Sequence, residues 1–293
     1  MGKSADNSSF LIRNFELNLP PVSEMMRAAG IRAKKSLGQN FLFDLNLTRK
    51  IARSVPDLEN SVVLEVGPGP GGLTRAFLEC GAKKIIAIEK DKSTKPILDE
   101  IQRASDGRLD IIYGDATRIQ NLELKVQNYV ICANLPYNIG TELLANWLHF
   151  PDKIKSMTLM FQREVAERII AKPGTKQYGR LSVLRALNWK AKILFNIPNS
   201  AFIPHPKVQS SVVQLLPRSP RYRDELVAKT EKLTAVLFGN RRKMIRAIIP
   251  DLDWSRFGLT GMERAEELNP EKFVEIAETL FVFPSQTWKS SEL

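Results

Sequence analysis

The chain has 293 residues, 43% of them hydrophobic, enough for one large domain and one smaller domain without covalent support. Its two cysteines, Cys80 and Cys132, and two histidines, His149 and His205, exclude a disulfide scaffold and leave no basis for a metal cluster. The net charge of +11, with no apolar run of the roughly 20 residues that span a bilayer, points to an anionic partner rather than a membrane.

Residues 1–30 have weak periodicity and contain Pro20-Pro21, so they read as an N-terminal arm with a short helix near 22–30. The arm mixes Asp6, Glu16 and Glu24 with Arg13 and Arg27. It lacks both the apolar stretch of a signal peptide and the acid-poor bias of a transit peptide, so a cytoplasmic protein is expected. A basic, glycine-containing loop follows, from Lys34 to Leu42. A helix is expected over about 45–55, with Asp44 as its N-cap.

From residue 61 short apolar runs alternate with amphipathic stretches. The runs are Val62–Val66, Lys84–Ile88, Leu109–Tyr113, Tyr129–Ala133 and Ser156–Phe161, the first four dominated by β-branched residues. Helical patterns such as Leu73–Cys80 and Thr141–Trp147 lie between them. This order predicts an α/β fold with a parallel sheet covered by helices, and right-handed crossovers bring every strand's C-terminal end to one edge. Two later runs, Lys192–Ile197 and Ser210–Leu216, have no helix between them and read as an antiparallel pair closing the sheet. Pro217 and Pro220 mark a linker, and residues beyond about 221 are helical in pattern. The expected division is an arm (1–30), a sheet-bearing domain (31–217) and a small all-helical domain (218–293). The positive charge is concentrated in residues 151–217, with eleven Lys/Arg against three Asp/Glu, a distribution suited either to a solvated face or to a phosphate-binding surface.

Four loops at the ends of the first four strands carry residues unusual for plain connections. Gly67, Gly69 and Gly72 form GxGxxG between a strand and a helix, a spacing that lets backbone approach a nucleotide cofactor. Glu89 ends the second strand, where a carboxylate can accept from both ribose hydroxyls. Gly114-Asp115 follows the third strand and can accept from an adenine amino group. Asn134-Leu135-Pro136-Tyr137 follows the fourth, and a hydride-transfer enzyme has no use for it there. An adenine amine does. Its lone pair is delocalised into the ring, and two acceptors aimed at its hydrogens favour pyramidal nitrogen. The Asn134 side-chain oxygen and the Leu135 carbonyl, held by Pro136, would be those acceptors, and Tyr137 a face on which the base stacks.

The sequence resembles the ribosomal RNA adenine N6,N6-dimethyltransferases. The likeness is carried by Ser36-Leu37-Gly38-Gln39-Asn40-Phe41-Leu42, Glu65-Val66-Gly67-Pro68-Gly69, Gly114-Asp115 and Asn134-Leu135-Pro136-Tyr137-Asn138. It continues through Phe161–Ala166, Tyr178–Val183, Phe202–Val208 and Asn240–Lys243. It is nearest to the bacterial branch that acts on the small subunit. Gly140 departs from the pattern, since Ser is commoner there.

The resemblance implies a Rossmann-like class I methyltransferase sheet, parallel with an antiparallel final strand, using S-adenosylmethionine and no metal. Asn40 and Leu42 would close over the cofactor, with Gly67 and Gly69 beside it. Glu89 would hold its ribose, Asp115 its adenine amine, and Asn134 both its edge and the target N6. Phe202 would be a second aromatic, sandwiching the base against Tyr137. The implied reaction is dimethylation of two adjacent adenosines in the 3′-terminal hairpin of 16S rRNA, in the pre-30S small subunit, by a monomer. Some of Arg163, Arg168, Lys172, Lys176, Arg180, Arg185, Lys190 and Lys192 would meet phosphates, and Arg241–Lys243 and Arg246 could brace the RNA. The alternatives are a large-subunit adenine methylase of the macrolide-resistance type and a non-catalytic ribosome-assembly factor on the same fold.

Overall fold

The computed structural model describes residues 17–117 and 128–280. The first sixteen residues of the expected arm, residues 118–127 and residues 281–293 lie outside the described residues. In chain order the elements begin with α1 (Val22–Ala28), β1 (Phe41–Leu42), α2 (Leu45–Arg53), β2 (Val62–Val66) and α3 (Gly72–Glu79). Then come β3 (Lys84–Glu89), α4 (Lys95–Arg103), β4 (Leu109–Tyr113), β5 (Tyr129–Asn134) and α5 (Gly140–Trp147). β6 (Ile154–Gln162), α6 (Arg163–Ile170), α7 (Arg180–Asn188), β7 (Trp189–Ile197), β8 (Phe202–Ile203) and β9 (Ser210–Pro217) complete the sheet region. The helical remainder holds α8 (Asp224–Gly239), α9 (Ile245–Ile248) and α10 (Pro270–Leu280).

Seven strands form one sheet in the order β4-β3-β2-β5-β6-β9-β7. The contacts among β4, β3, β2, β5 and β6 are parallel, and β9 runs antiparallel to both of its neighbours. The expected parallel sheet with an antiparallel final strand is therefore present. Strands buried on both faces read as continuous apolar runs, and the two-residue pleat sorts their side chains. Val63, Ile85 and Val130 face the core shared with α2, α3 and α4; Leu64, Ile86 and Ile131 face the core shared with α5, α6 and α7. The Asp44 carboxylate caps α2, accepting from the backbone N–H groups of Asn46 and Leu47, as its side chain and position predict.

One pairing was not expected. β1 and β8 form a separate two-stranded ladder in which Phe41 faces Ile203 and Leu42 faces Phe202. It ties the basic loop to the connection between the last two long strands. The described end of the arm also packs on the body of the fold. Leu17 is buried, and the Arg75 guanidinium on α3 donates to the Leu19 and Pro20 carbonyls.

A third core fills the helical region and takes Tyr178 and Val183 from the segment before it. The Tyr178 hydroxyl donates to the Leu268 carbonyl at 2.9 Å, and its ring is 1% exposed. Among the described residues, no helix is long and apolar enough to cross a membrane. Tyr178→Phe leaves the Leu268 carbonyl without its donor and should cost about 1–2 kcal/mol in urea unfolding. An unchanged midpoint would mean that the bond does not couple the two regions.

Candidate active site

The parallel strands deliver their C-terminal ends to one edge, and four loops plus the 36–42 segment line a single cleft there. Asn40, Leu42, Gly67, Gly69, Glu89, Asp115, Asn134, Leu135, Pro136 and Tyr137 all contribute to its wall. Sequence reading thus names residues that the fold brings together from positions nearly a hundred apart.

The glycine loop is shaped by its neighbours. Gly69 has φ +56°, and a Cβ there would lie 2.9 Å from the Phe41 ring. At Gly72 a Cβ would lie 2.6 Å from the Leu42 carbonyl oxygen. These glycines let β1 lie directly over the start of α3, which closes one side of the cleft.

Two carboxyl groups sit beneath the loop. Glu89 is 4% exposed and accepts from the backbone N–H of Gly69 at 2.8 Å and of Asp91 at 2.6 Å. Each oxygen keeps a lone pair for a further donor. Burial pushes its carboxyl up, against the opposing effect of those two bonds. Glu65, inside β2, is wholly buried; Thr74 donates to its Oε2 at 2.7 Å, while Oε1 has no partner among the described residues. Burial, offset in part by the Thr74 bond and reinforced by nearby Glu89, pushes Glu65 up to about 8. In the sequence Glu65 figures only at the head of the Glu65–Gly69 motif and is given no role, although a charged residue inside the apolar run Val62–Val66 is the signal that could have found one.

Asp115 lies at the rim. Lys90 Nζ bonds its Oδ2 at 2.8 Å, and Thr117 donates to Oδ1 from both hydroxyl and backbone. Those bonds hold the carboxyl down, at about 2.

Asn134 is the last residue of β5. Its Nδ2 donates to the Asn40 carbonyl at 3.0 Å, and Oδ1, on a residue that lines the cleft, meets no donor among the described residues. The Pro136 carbonyl accepts from Ile139 and Gly140 as α5 begins, whereas the Leu135 carbonyl meets no donor among the described residues. The Tyr137 hydroxyl shares a 2.7 Å hydrogen bond with Ser210 at the start of β9, which fixes the ring at the cleft mouth. Ser210, 73 positions away, carries no local signal for this role. Gly140 is buried; a Cβ there would stand 3.3 Å from Leu135 Cβ, so its effect falls on packing behind the tetrapeptide.

Phe202 requires a correction. It does not line the cleft, and its side chain is 0% exposed within the first core. The β8 ladder is the reason: strand alternation turns Phe202 inward beside Leu42 and Ile203 outward, 57% exposed. In this arrangement the ring presents no face to a base.

The basic stretch is also more differentiated than its sequence suggests. Arg163, Arg168 and Arg180 pair with Glu167, Glu164 and Glu231. Arg185 turns inward and donates to the Ile169 and Trp189 carbonyls. Lys172, Lys176, Lys190 and Lys192 are exposed and join no ion pair among the described residues. In the helical region Arg241 pairs with Glu266, and Arg242, Lys243 and Arg246 are exposed.

The comparisons with known proteins agree in kind. The family model described as Ribosomal RNA adenine dimethylase matches residues 30–281. A protein of Chelativorans sp. named Ribosomal RNA small subunit methyltransferase A is 49% identical over 268 residues, covering 88% of this chain and 97% of its own. Its namesake from Agrobacterium fabrum is 48% identical over 271 residues, covering 89% and 98%. Among solved structures, a dimethyladenosine transferase from Plasmodium falciparum superposes with a TM-score of 0.70 at 24% identity, over 83% of this chain and 98% of that one. The 23S rRNA methyltransferase ErmE gives 0.64 at 23% identity, over 83% and 100%. These two likenesses show the fold.

The Glu65 carboxyl gives a pH test. Its folded value of about 8 lies above the ordinary 4.5, so its contribution to stability is full below about 4.5 and is lost as pH rises toward 8. Glu65→Gln keeps the shape without the titration. Across that window, wild type should lose melting temperature relative to the variant; parallel curves would show that Glu65 is not protonated in the fold.

Proposed function

Since the chain belongs to the ribosomal RNA adenine dimethylase family, we propose that its cleft binds S-adenosylmethionine and presents N6 of an rRNA adenine to it. The chain is an rRNA adenine dimethyltransferase of the small subunit; the relatives that share nearly half its residues bear the name Ribosomal RNA small subunit methyltransferase A. The finer target in this reading is the pair of adjacent adenosines in the 3′-terminal hairpin of 16S rRNA, met in a pre-30S particle by a monomer in the cytoplasm. The 23S rRNA methyltransferase ErmE shares the fold at 23% identity, which does not favour a large-subunit target.

The residues present suit the cofactor. The glycine loop gives backbone close approach, Glu89 keeps lone pairs for ribose hydroxyls, and Asp115 is an ionised acceptor for an adenine amino group. Asn40, Leu42, Gly67, Gly69 and Asn134 complete the wall assigned to it. Burial disfavours charge on Glu89, and a positive ligand charge bound above it would offset that penalty. When bound, S-adenosylmethionine supplies an electrophilic methyl on positively charged sulfur, so the protein's work is orientation and electrostatics around N6.

The observation that carries this reading is the fixed polarity of the Asn134 amide. With Nδ2 engaged by the Asn40 carbonyl, Oδ1 accepts one N6 hydrogen, and the unoccupied Leu135 carbonyl accepts the other. Together they draw the nitrogen towards pyramidal geometry and free its lone pair. Tyr137, braced by Ser210, offers the stacking face. The proton shed by N6 leaves through these acceptors to water. After one methylation a single N6 hydrogen remains, and either acceptor alone can hold it. Lys172, Lys176, Lys190 and Lys192, which join no ion pair among the described residues, are the proposed phosphate contacts, joined by the arginines whose carboxylate partners are exposed enough to exchange for phosphate. The division into residues 31–217 for methyl transfer and 218–293 for helical support is part of the same reading.

Radiolabelled methyl transfer to unmethylated small subunits, with large subunits in parallel, tests the assignment. Label is expected in small-subunit rRNA, as dimethyladenosine on hydrolysis. Label in the large subunit, or none, would overturn it. Asn134→Ala should lower the rate by about 100-fold or more while the RNA still binds; a rate near wild type would remove the acceptor role.

A further inference from the structure

Asp91 stands two residues beyond Glu89, and its carboxylate is 3% exposed. Its Oδ1 accepts from Lys34 Nζ at 2.7 Å, from the Ser93 backbone at 3.0 Å and from the Ser93 hydroxyl at 2.7 Å. Its Oδ2 accepts from Gln39 Nε2 at 3.0 Å. The other end of the Gln39 amide accepts from the Lys34 backbone N–H at 2.9 Å, so the segment is closed on itself before it is tied to Asp91. The Ser93 bonds are local and belong to an N-cap over the short turn Lys92–Thr94. The bonds from Lys34 and Gln39 come from 57 and 52 positions away and do nothing for that cap.

What those two bonds hold is the segment leading into the cleft. Gln39 is followed directly by Asn40, whose carbonyl takes the Asn134 amide, and by Phe41 and Leu42, which pair with β8. Burial alone would raise the Asp91 carboxyl, yet the bonds from Lys34, Ser93 and Gln39 outweigh it and keep it well below the usual carboxylate range. The Asp91 carboxylate is therefore ionised at neutral pH.

We propose that Asp91 is a positioning residue: through Lys34 and Gln39 it straps the 34–42 segment onto the sheet edge, so that Asn40 meets Asn134 and the cofactor wall is complete before any ligand arrives. The proposal rests on the reading of the cleft as an S-adenosylmethionine site. Its main chain serves the same end, since the Asp91 N–H is the second donor to Glu89. One residue thereby links the two sides of the cleft, the loop wall through its carboxylate and the ribose-side floor through its backbone N–H.

Asp91→Asn separates the strap from the cap. Asparagine caps a turn as well as aspartate does, but it removes the charge facing Lys34 and sets an amide donor against Gln39 Nε2. Gln39→Glu on that background returns a carboxylate to the same contact from the opposite side. Calorimetric titration of the full chain with S-adenosylhomocysteine should show affinity weakened about tenfold or more in Asp91→Asn. The double variant Asp91→Asn/Gln39→Glu should return to within about threefold of wild type.

Trypsin cleavage after Lys34 and Lys35 in the ligand-free chain should follow the same order, fast in the single variant and slow again in the double. Lys34→Met, at a side chain 46% exposed, guards against misfolding at Asp91 and should weaken binding in the same direction. Undiminished affinity in Asp91→Asn, or a double variant as weak as the single, would overturn the proposal. Wild type that fails to bind S-adenosylhomocysteine would instead remove the cofactor reading. In that case the trypsin order still decides the strap: equal cleavage of wild type and Asp91→Asn would overturn it.

Discussion

The hydrogen bond from Asn134 Nδ2 to the Asn40 carbonyl is the contact on which the site depends. An amide has an acceptor end and a donor end, and a free one can present either. Occupying the donor end leaves one polarity for the cleft. The carbonyl that does this belongs to a segment before the sheet, and the asparagine ends its central strand. In the proposed reading, chemistry at Asn134 is therefore conditional on the 34–42 segment lying in place. Its supports are the β1–β8 ladder and the bonds to Asp91.

The rest of the fold can be understood as a device for meeting that condition. Parallel strands put Gly67, Glu89, Asp115 and Asn134 at one edge at no extra cost in geometry. The antiparallel β9 then runs back along β6 and starts beside the cleft with Ser210, which holds Tyr137. Electrostatics follow from depth. Glu65 and Glu89, deep in the floor, are pushed up by burial, while Asp115 at the rim is held down by Lys90 and Thr117. In the proposed reading the ionised Asp115 takes the adenine end of the ligand, and a positive charge bound over the floor would relieve the burial penalty on a charged Glu89.

Much of this was legible in the sequence because the signals are local. The strands at Val62–Val66 and Tyr129–Asn134, the cap at Asp44 and the glycine spacing each occupy a few consecutive residues, and the sheet topology converts them into a common edge. The contacts that finish the site are not local. A ladder of two residues per strand joins Phe41–Leu42 to Phe202–Ile203 across about 160 positions, too short to show periodicity. That ladder buries the Phe202 ring. Arg185 looks like its basic neighbours in sequence, yet tertiary packing spends its donors on two backbone carbonyls. Asp91 carries no local signal of its contacts, and only the fold shows it covered by Lys34 and Gln39.

The most direct test of the central claim is the structure of this chain with S-adenosylhomocysteine and an RNA carrying the target adenosine. The expected result places the adenine amino nitrogen within hydrogen-bond distance of both Asn134 Oδ1 and the Leu135 carbonyl, with Asn134 Nδ2 still on the Asn40 carbonyl. An adenine bound elsewhere, or an Asn134 amide released from Asn40 and turned over, would contradict it.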